Sequence, residues 1–204
     1  MSKRLDLIKS LIVPSKIIAD VGCDHGLIAE YCTAIADQVI ASDVSEKCLQ
    51  KARVRLAGAT NVTFICCDGL GYECDEAIIS GMGGILIAQI LRAAARLPKT
   101  LILSPHRDGG LVRSTLIELG YGIDRDVPIY DRNKFYSVIR ADKECGVMEL
   151  SHLQTVFGLD CASPNADLQR RLSQLYAVLM LAPDANKQQL SDVTAVMRLQ
   201  NMQP

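Results

Sequence analysis

The sequence predicts a doubly wound α/β fold, in which a mostly parallel sheet ends in an antiparallel hairpin and a small helical appendage follows. Three observations favour this fold class. Up to residue 120, short β-branched runs alternate with segments of helical spacing, which is typical of parallel strands joined by crossover helices. Two β-rich runs at 121–130 and 135–140 lie too close together for a crossover helix and indicate a hairpin. From about Met148 onward, only helical patterns remain.

The predicted elements follow in chain order. A helix at 3–12 ends before Pro14, since apolar residues recur at helical spacing up to that proline. Strands are predicted at 17–21, 39–43, 61–67, 77–80 and 100–104, and helices at 27–36, 45–57, 85–96 and 110–119. Ser45 is the expected N-cap of its helix. Helical stretches at 167–181 and 186–199 follow the hairpin. We therefore expect two domains, residues 1–147 and residues 148–204.

The composition is that of a globular protein, since 49% of the 204 residues are hydrophobic and 22% are charged. No run approaches the roughly 18 uncharged apolar residues that a membrane helix needs. Residues 1–14 carry charges throughout and contain no apolar signal core. We therefore expect a cytoplasmic protein that has no membrane partner.

The cysteines do not form a metal or disulfide pattern. Of the eight, only Cys66 and Cys67 are close neighbours, and no C-x-x-C pair occurs. A zinc site needs paired ligands at close spacing, so we expect no metal. We interpret most of the cysteines as small buried apolar residues.

Charge is unevenly distributed along the chain, although the net charge is −1. Residues 1–16 contain four basic residues and one acidic residue, whereas residues 17–85 contain four basic and ten acidic residues. Residues 86–140 contain nine basic and five acidic residues. This segregation permits a basic face for a nucleic acid and is equally compatible with an ordinary charged surface.

The strongest chemical motif is Asp20-Val-Gly22-Cys-Asp24-His25-Gly26, directly after the first predicted strand. Glycines there let the backbone approach a ligand and leave amide groups facing it, although an ordinary strand-to-helix turn would look the same. The dinucleotide pattern G-x-G-x-x-G is absent because Asp24 occupies the second glycine position. A carboxylate there would repel a pyrophosphate and suits a cationic sulfonium, which favours S-adenosylmethionine over NAD.

Further motifs follow the next three strands. Asp43 ends the second strand, where a carboxylate commonly accepts hydrogen bonds from ribose hydroxyls. Asp68-Gly69 follows the third strand, where a carboxylate can hold an adenine amino group. Ser80-Gly81-Met82-Gly83-Gly84 follows the fourth, without the Asn/Asp-Pro-Pro-aromatic loop common in enzymes that methylate exocyclic amines. It is either a permissive loop that lets a flat base lie near the methyl group or a helix packed tightly on the sheet.

The segments ADVGCDHGLIAEY, ICCDGL, IISGMGGILIAQIL, LILSPH and KFYSVI, in this order, resemble the bacterial tRNA (adenine-22, N1) methyltransferase family over roughly residues 3–140. The resemblance implies a Rossmann-like class I methyltransferase domain and a helical C-terminal domain that helps to hold tRNA. It implies an S-adenosylmethionine site lined by Asp20, Gly22, Cys23, Asp24, His25, Gly26, Asp43, Val44, Asp68, Gly69, Gly81, Met82 and Gly83. Arg4 matches a basic position and is the candidate for substrate binding.

The expected chemistry needs no strong general base, because adenine N1 carries a lone pair that can attack the sulfonium methyl directly. Positioning would then supply most of the catalysis. Asp24 and His106 are the catalytic candidates, for orienting the base or accepting its amino proton. Two alternatives stay open: a methyltransferase of small molecules and a non-catalytic RNA-binding module of the same fold. The glycine spacing supports a NAD oxidoreductase poorly.

Overall fold

A computed structural model describes residues 2–203. Its strands are β1 (Ser15–Val21), β2 (Ala36–Asp43), β3 (Val62–Cys66), β4 (Glu76–Ser80), β5 (Thr100–Ser104), β6 (Gly122–Asp131) and β7 (Lys134–Asp142). Its helices are α1 (Lys3–Leu11), α2 (Leu27–Cys32), α3 (Glu46–Arg55), α4 (Gly84–Ala93), α5 (Gly109–Glu118), α6 (His152–Phe157), α7 (Ala166–Leu179) and α8 (Lys187–Leu199).

The seven strands form one sheet in the order β3-β2-β1-β4-β5-β7-β6. Strands β1 to β5 pair in parallel, whereas β7 is antiparallel to both β5 and β6. The predicted doubly wound, mostly parallel sheet with a final hairpin is therefore confirmed. Since the chain proceeds outward on one side from β1 and on the other from β4, a crevice opens between the carboxyl ends of these two central strands, where ligands bind in such sheets.

The sheet is buried on both faces, which explains why its central strands are apolar throughout. Ile78 and Ile102 face a core formed with α1, α2 and α3. Their neighbours Ile79, Leu101 and Leu103 face a second core formed with α4 and α5. The two-residue period of the strands therefore supplies both cores from the same short segments.

Three local predictions were wrong or incomplete. Helix α2 ends at Cys32 and Ala36 already belongs to β2, because Ala36 pairs with Ser15 of β1. Ser45 does occupy the N-cap of α3, but its side chain makes no capping hydrogen bond. Helix α6 was not predicted, although Ser151 and Gln154 form a capping box at its start.

The C-terminal helices have an apolar cluster of their own, which includes Phe157, Leu172 and Val196. They contact a buried ion pair of the sheet domain, in which Arg113 of α5 bonds both carboxylate oxygens of Asp126 of β6, at 2.6 and 3.0 Å. Arg113 also donates to the backbone carbonyl of Thr155. The division at residue 147 stays a prediction. Within residues 2–203, no helix has the length and apolar character needed to cross a membrane.

Candidate active site

Two adjoining clefts lie at the carboxyl edge of the sheet, beside β1 and β4. The first, here called the acidic cleft, has a volume of about 370 Å³ and contains the predicted residues Gly22, Asp24, Asp43, Val44, Asp68, Gly69, Gly81 and Met82. The second, the arginine cleft, has a volume of about 290 Å³ and contains Arg4, Asp20, Gly22, Cys23, Asp24, His25 and Gly81. Because the clefts share Gly22, Asp24, Ser80 and Gly81, one elongated ligand could occupy both.

Backbone hydrogen bonds fix the turn after β1 against the end of β2. The N–H groups of Gly22 and Cys23 both donate to the carbonyl of Ser42, at 2.8 and 2.9 Å. Gly22 has a φ of +71°, and a Cβ there would collide with the Cε of Met82. The positive φ therefore favours glycine where the two clefts meet, and a side chain there would also displace the end of Met82. Gly26, in contrast, lines neither cleft and packs against Ala52 of α3.

Asp20 forms a buried part of the arginine cleft. One of its carboxylate oxygens accepts the N–H of Ala29 at 3.0 Å. Burial nevertheless raises the pKa of Asp20 to about 7, with the nearby Asp43 carboxylate acting in the same direction. A cationic ligand in this cleft would favour the ionised form of Asp20.

Asp43 connects the two turns at the acidic cleft. Its two carboxylate oxygens accept the N–H groups of Ser45, at 2.8 Å, and of Asp24, at 3.2 Å. Each oxygen can accept a further hydrogen bond, so Asp43 can stabilise the turn and also bind a hydroxyl of a ligand.

Asp24 is half exposed at the mouth of the clefts, with its backbone in the left-handed region at a φ of 41°. Its carboxylate lies 3.3 Å from Lys51 Nζ and 3.4 Å from His25 Nε2. Partial desolvation raises the pKa of Asp24, but the hydrogen bonds from Lys51 and Cys48 and the nearby charges of His25 and Lys51 together outweigh it, so the pKa is lowered. A carboxylate held in the ionised form this way accepts a proton poorly.

His106 lies outside both clefts. It lines a third pocket of about 180 Å³, here called the basic pocket, together with residues 105–109, Arg113, residues 135–137, Val156 and Arg171. Desolvation, followed by the charges of Arg4 and Lys134, lowers the pKa of His106. The structure therefore does not bring the two predicted catalytic residues, Asp24 and His106, into one cavity.

Arg4 reaches inward from α1. Its Nη1 lies 3.4 Å from Ser104 Oγ, and its guanidinium lies 4.8 Å from the centre of the Tyr136 ring. This arginine is half-buried in the wall of the arginine cleft, at the same edge of the sheet as Asp20. It is therefore placed to meet an anion inside the cleft.

The glycines after β4 support both interpretations of that segment, as a permissive loop and as a tightly packed helix. Gly81 has a φ of +82° and lines both clefts, as a permissive loop would. Gly84 packs against the backbone of Arg107 and Asp108, since a Cβ there would meet both carbonyl oxygens. Gly83 lines neither cleft and lies at the N-cap of α4.

Several residues of these clefts were not assigned to the site from the sequence. Ser42 and Ser80 lie at strand ends directly before Asp43 and Gly81, a position that could have identified them. The buried Ser42 lies 2.5 Å, Oγ to hydroxyl oxygen, from Tyr72. Leu86 of α4 adds an apolar wall. Tyr136 of β7 reaches the arginine cleft only because the hairpin folds back beside β5.

Two further kinds of chemistry are relevant to the site: a nucleophilic thiol at Cys23 and a bound metal ion. Burial raises the pKa of the Cys23 thiol to about 12, so this cysteine is a poor nucleophile. Among residues 2–203, no group of three or more His, Cys, Asp or Glu side chains is arranged to hold a metal ion.

Comparisons with known proteins agree with this geometry. A family model described as a methyltransferase domain matches residues 1–139. A Mycoplasma pneumoniae protein assigned as a tRNA methyltransferase is 29% identical over 153 residues, which cover 70% of this chain and 72% of that protein. The tRNA (adenine(22)-N(1))-methyltransferase of Bacillus subtilis is 29% identical over 154 residues, covering 70% of this chain and 65% of that enzyme.

Solved structures extend the similarity to the C-terminal helices. TrmK of M. capricolum, in complex with S-adenosyl-homocysteine, superposes with a TM-score of 0.90 over 98% of both chains, at 20% sequence identity. The B. subtilis m1A22 tRNA methyltransferase TrmK gives a TM-score of 0.76 over 98% of this chain and 97% of that chain, at 25% identity. The resemblance predicted from the sequence is confirmed by these relatives.

Proposed function

The chain belongs to the methyltransferase-domain family, and we propose that it transfers the methyl group of S-adenosylmethionine to N1 of an adenine in tRNA, at position 22. The observation that carries the proposal is the pair of clefts at the switch point of the sheet, which join an acidic half to a half that contains a half-buried arginine. The names of the relatives from B. subtilis and M. pneumoniae supply the substrate class.

The residues of the two clefts fit S-adenosylmethionine. In the acidic cleft, Asp43 would bind the ribose hydroxyls, Asp68 would face the adenine, and the exposed apolar side chains of Val44 and Leu86 would pack on its ring. In the arginine cleft, the ammonium of the methionine portion would face Asp20 and its carboxylate would face Arg4. When bound there, the cofactor supplies an electrophilic methyl group.

This fit changes the assignment of Arg4. Its half-buried guanidinium, bonded to Ser104 and stacked on Tyr136, suits a carboxylate inside the arginine cleft better than a phosphate on the surface. We therefore assign Arg4 to the cofactor, whereas the sequence assigned it to the substrate.

The protein acts on the target adenine mainly by positioning. N1 needs no deprotonation, so the ordered Ser80-Gly81-Met82 backbone can accelerate transfer by holding the ring in line with the methyl group, a contribution of several kcal/mol. Because its pKa is lowered, Asp24 orients the base rather than accepting a proton. Exposing a base from folded tRNA costs a few kcal/mol, which contacts elsewhere on the tRNA must offset. A tRNA substrate is in keeping with the cytoplasmic location that the sequence predicts.

Incubation with bulk tRNA and S-adenosylmethionine labelled in the methyl group, followed by mapping of the modified nucleoside, tests the proposal. We expect 1-methyladenosine at position 22, and no label with an Asp43→Ala control. Methylation of small molecules but not of tRNA would favour the first alternative. Failure to bind the cofactor would favour the non-catalytic module.

A further inference from the structure

The basic pocket contains a cation that the proposed function leaves unused. Arg171 of α7 is partly buried at this pocket and makes no hydrogen bond or ion pair with any residue between 2 and 203. Burial lowers the pKa of Arg171, and the charge of nearby Arg113 acts in the same direction. A desolvated cation without a counter-charge is unfavourable, so an anion in the pocket would be strongly stabilised.

The other groups of the pocket determine its net charge. Arg113 is neutralised, since its donors are taken by Asp126, Ser137 and the carbonyl of Thr155. Arg107 is 83% exposed, with its Nε 3.8 Å from the Asp108 carboxylate, so it is free to turn toward a ligand. Asp108 is the carboxylate among the lining residues, and its charge offsets that of Arg107. Arg171 therefore supplies an excess of positive charge, to which the N-terminus of α5 adds a partial charge.

The pocket adjoins the proposed methyl-transfer site. Tyr136 lines both the basic pocket and the arginine cleft, and its ring meets the His106 ring edge-on with centroids 5.6 Å apart. At about 180 Å³, the pocket is smaller than the roughly 300 Å³ at which cavities for whole small molecules begin. A single phosphate group is therefore a better match than a nucleotide.

We propose that the basic pocket binds a backbone phosphate of tRNA next to the target adenine, with the guanidinium of Arg171 as its main ligand. This inference rests on the proposed function for the identity of the phosphate, but not for the chemistry of the pocket. It gives the C-terminal helices a defined role, since α7 brings Arg171 to the edge of the sheet where transfer would occur.

Inorganic phosphate tests the pocket without RNA. The chain has three histidines, so the ring protons of His106 can be assigned in NMR spectra with a His106→Asn variant. We expect millimolar phosphate to shift these signals in the wild type and to leave them nearly unchanged in Arg171→Gln. Equal shifts in both proteins, or none in the wild type, would overturn the phosphate site whatever the enzyme methylates.

Transfer RNA tests the assignment of the phosphate. We expect Arg171→Gln to weaken tRNA binding about tenfold and to reduce the slope of log affinity against log salt by about 0.7–0.9, the value for one lost phosphate contact. Arg171→Lys keeps the charge but loses the planar guanidinium, so its affinity for tRNA should lie between those of the wild type and Arg171→Gln. Arg198→Gln is the matched control, because it removes an exposed arginine from α8, and it should change tRNA affinity less than twofold.

Affinity for S-adenosylhomocysteine should stay unchanged in all three variants, which checks that they fold. If the wild type methylates tRNA and Arg171→Gln binds tRNA as well as Arg198→Gln does, the tRNA phosphate assignment is wrong and the proposed function stands. If the wild type shows the phosphate shift but no tRNA activity, the proposed function fails together with that assignment.

Discussion

The acidic cleft and the basic pocket lie at the same edge of one sheet but are assembled in different ways. In the acidic cleft, Asp43, Asp68 and Gly81 each lie at or just after the carboxyl end of a parallel strand, so chain order and pairing of the strands bring them together. In the basic pocket, His106, Tyr136 and Arg171 come from a loop, an antiparallel strand and a C-terminal helix. The first arrangement depends on local strand ends, whereas the second depends on how distant elements pack.

The largest expected effect concerns the buried Arg113–Asp126 pair, to which Thr155 and Leu159 of the C-terminal segment are hydrogen-bonded. Arg113→Ala leaves the buried Asp126 carboxylate without its ion pair, and we expect the free energy of unfolding to fall by about 3–5 kcal/mol in urea titrations. The matched control is Arg92→Ala, which breaks the exposed pair of α4 and α5 with Glu118 and should change stability far less. Equal losses in the two variants would show that the basic pocket does not depend on a buried anchor.

A second test addresses the acidic cleft. Asp43→Ala removes hydrogen bonds to ribose, each contributing about 1.5–3 kcal/mol, so we expect affinity for S-adenosylhomocysteine to fall about a hundredfold or more in calorimetric titration. Because Asp43 also accepts the N–H groups of Asp24 and Ser45, the melting temperature should fall as well, and circular dichroism at low temperature serves as the folding control. Unchanged affinity would remove Asp43 from the site.

A third test uses the buried carboxyl group of the arginine cleft. The pKa of Asp20 is raised to about 7, so the folded state keeps a proton that the unfolded chain releases near pH 4. The free energy of unfolding of the unliganded wild type should therefore fall as the pH rises from about 4 through 7, at up to about 1.4 kcal/mol per pH unit.

Glu76, whose pKa burial also raises to about 7, contributes a change of the same sign, so the measurement needs a comparison. Relative to the wild type, Asp20→Asn should gain about 1–3 kcal/mol of stability between pH 5 and pH 8. Its affinity for S-adenosylhomocysteine should also vary less with pH between 6 and 7.5. Parallel stability curves for the two proteins would contradict the raised pKa.

The smallest expected effect distinguishes the two assignments of Arg4. If Arg4 binds the cofactor carboxylate, Arg4→Ala should weaken S-adenosylhomocysteine binding roughly fivefold to tenfold and leave the salt slope of tRNA binding unchanged. Lys3→Ala, which removes an exposed charge from the same helix, serves as the control and should leave cofactor affinity unaltered. A reduced salt slope with unchanged cofactor affinity would instead support Arg4 as a substrate-binding residue.

Much of the first region could be predicted because its signals are local. The apolar runs of β1 to β5 and the glycine turn after β1 predicted the parallel sheet and the residues at its edge. The errors arose where pairing overrides local propensity, as at Ala36, which pairs with Ser15 instead of extending α2. Asp24 and His106 were both predicted as catalytic candidates but lie in different cavities, because the loop after β5 turns toward the hairpin.

The sequence by itself determined the fold class, the cofactor and the acidic edge of the sheet, because strand ends and glycine turns are encoded by neighbouring residues. Only the tertiary structure decided that Arg4 points into a cleft and that Tyr136 separates two cavities. It alone placed Arg171 beside His106 without a counter-charge. Those positions depend on the antiparallel insertion of β7 beside β5 and on the Arg113–Asp126 contact. Both bring together residues that are far apart in the chain, and no local periodicity records such contacts.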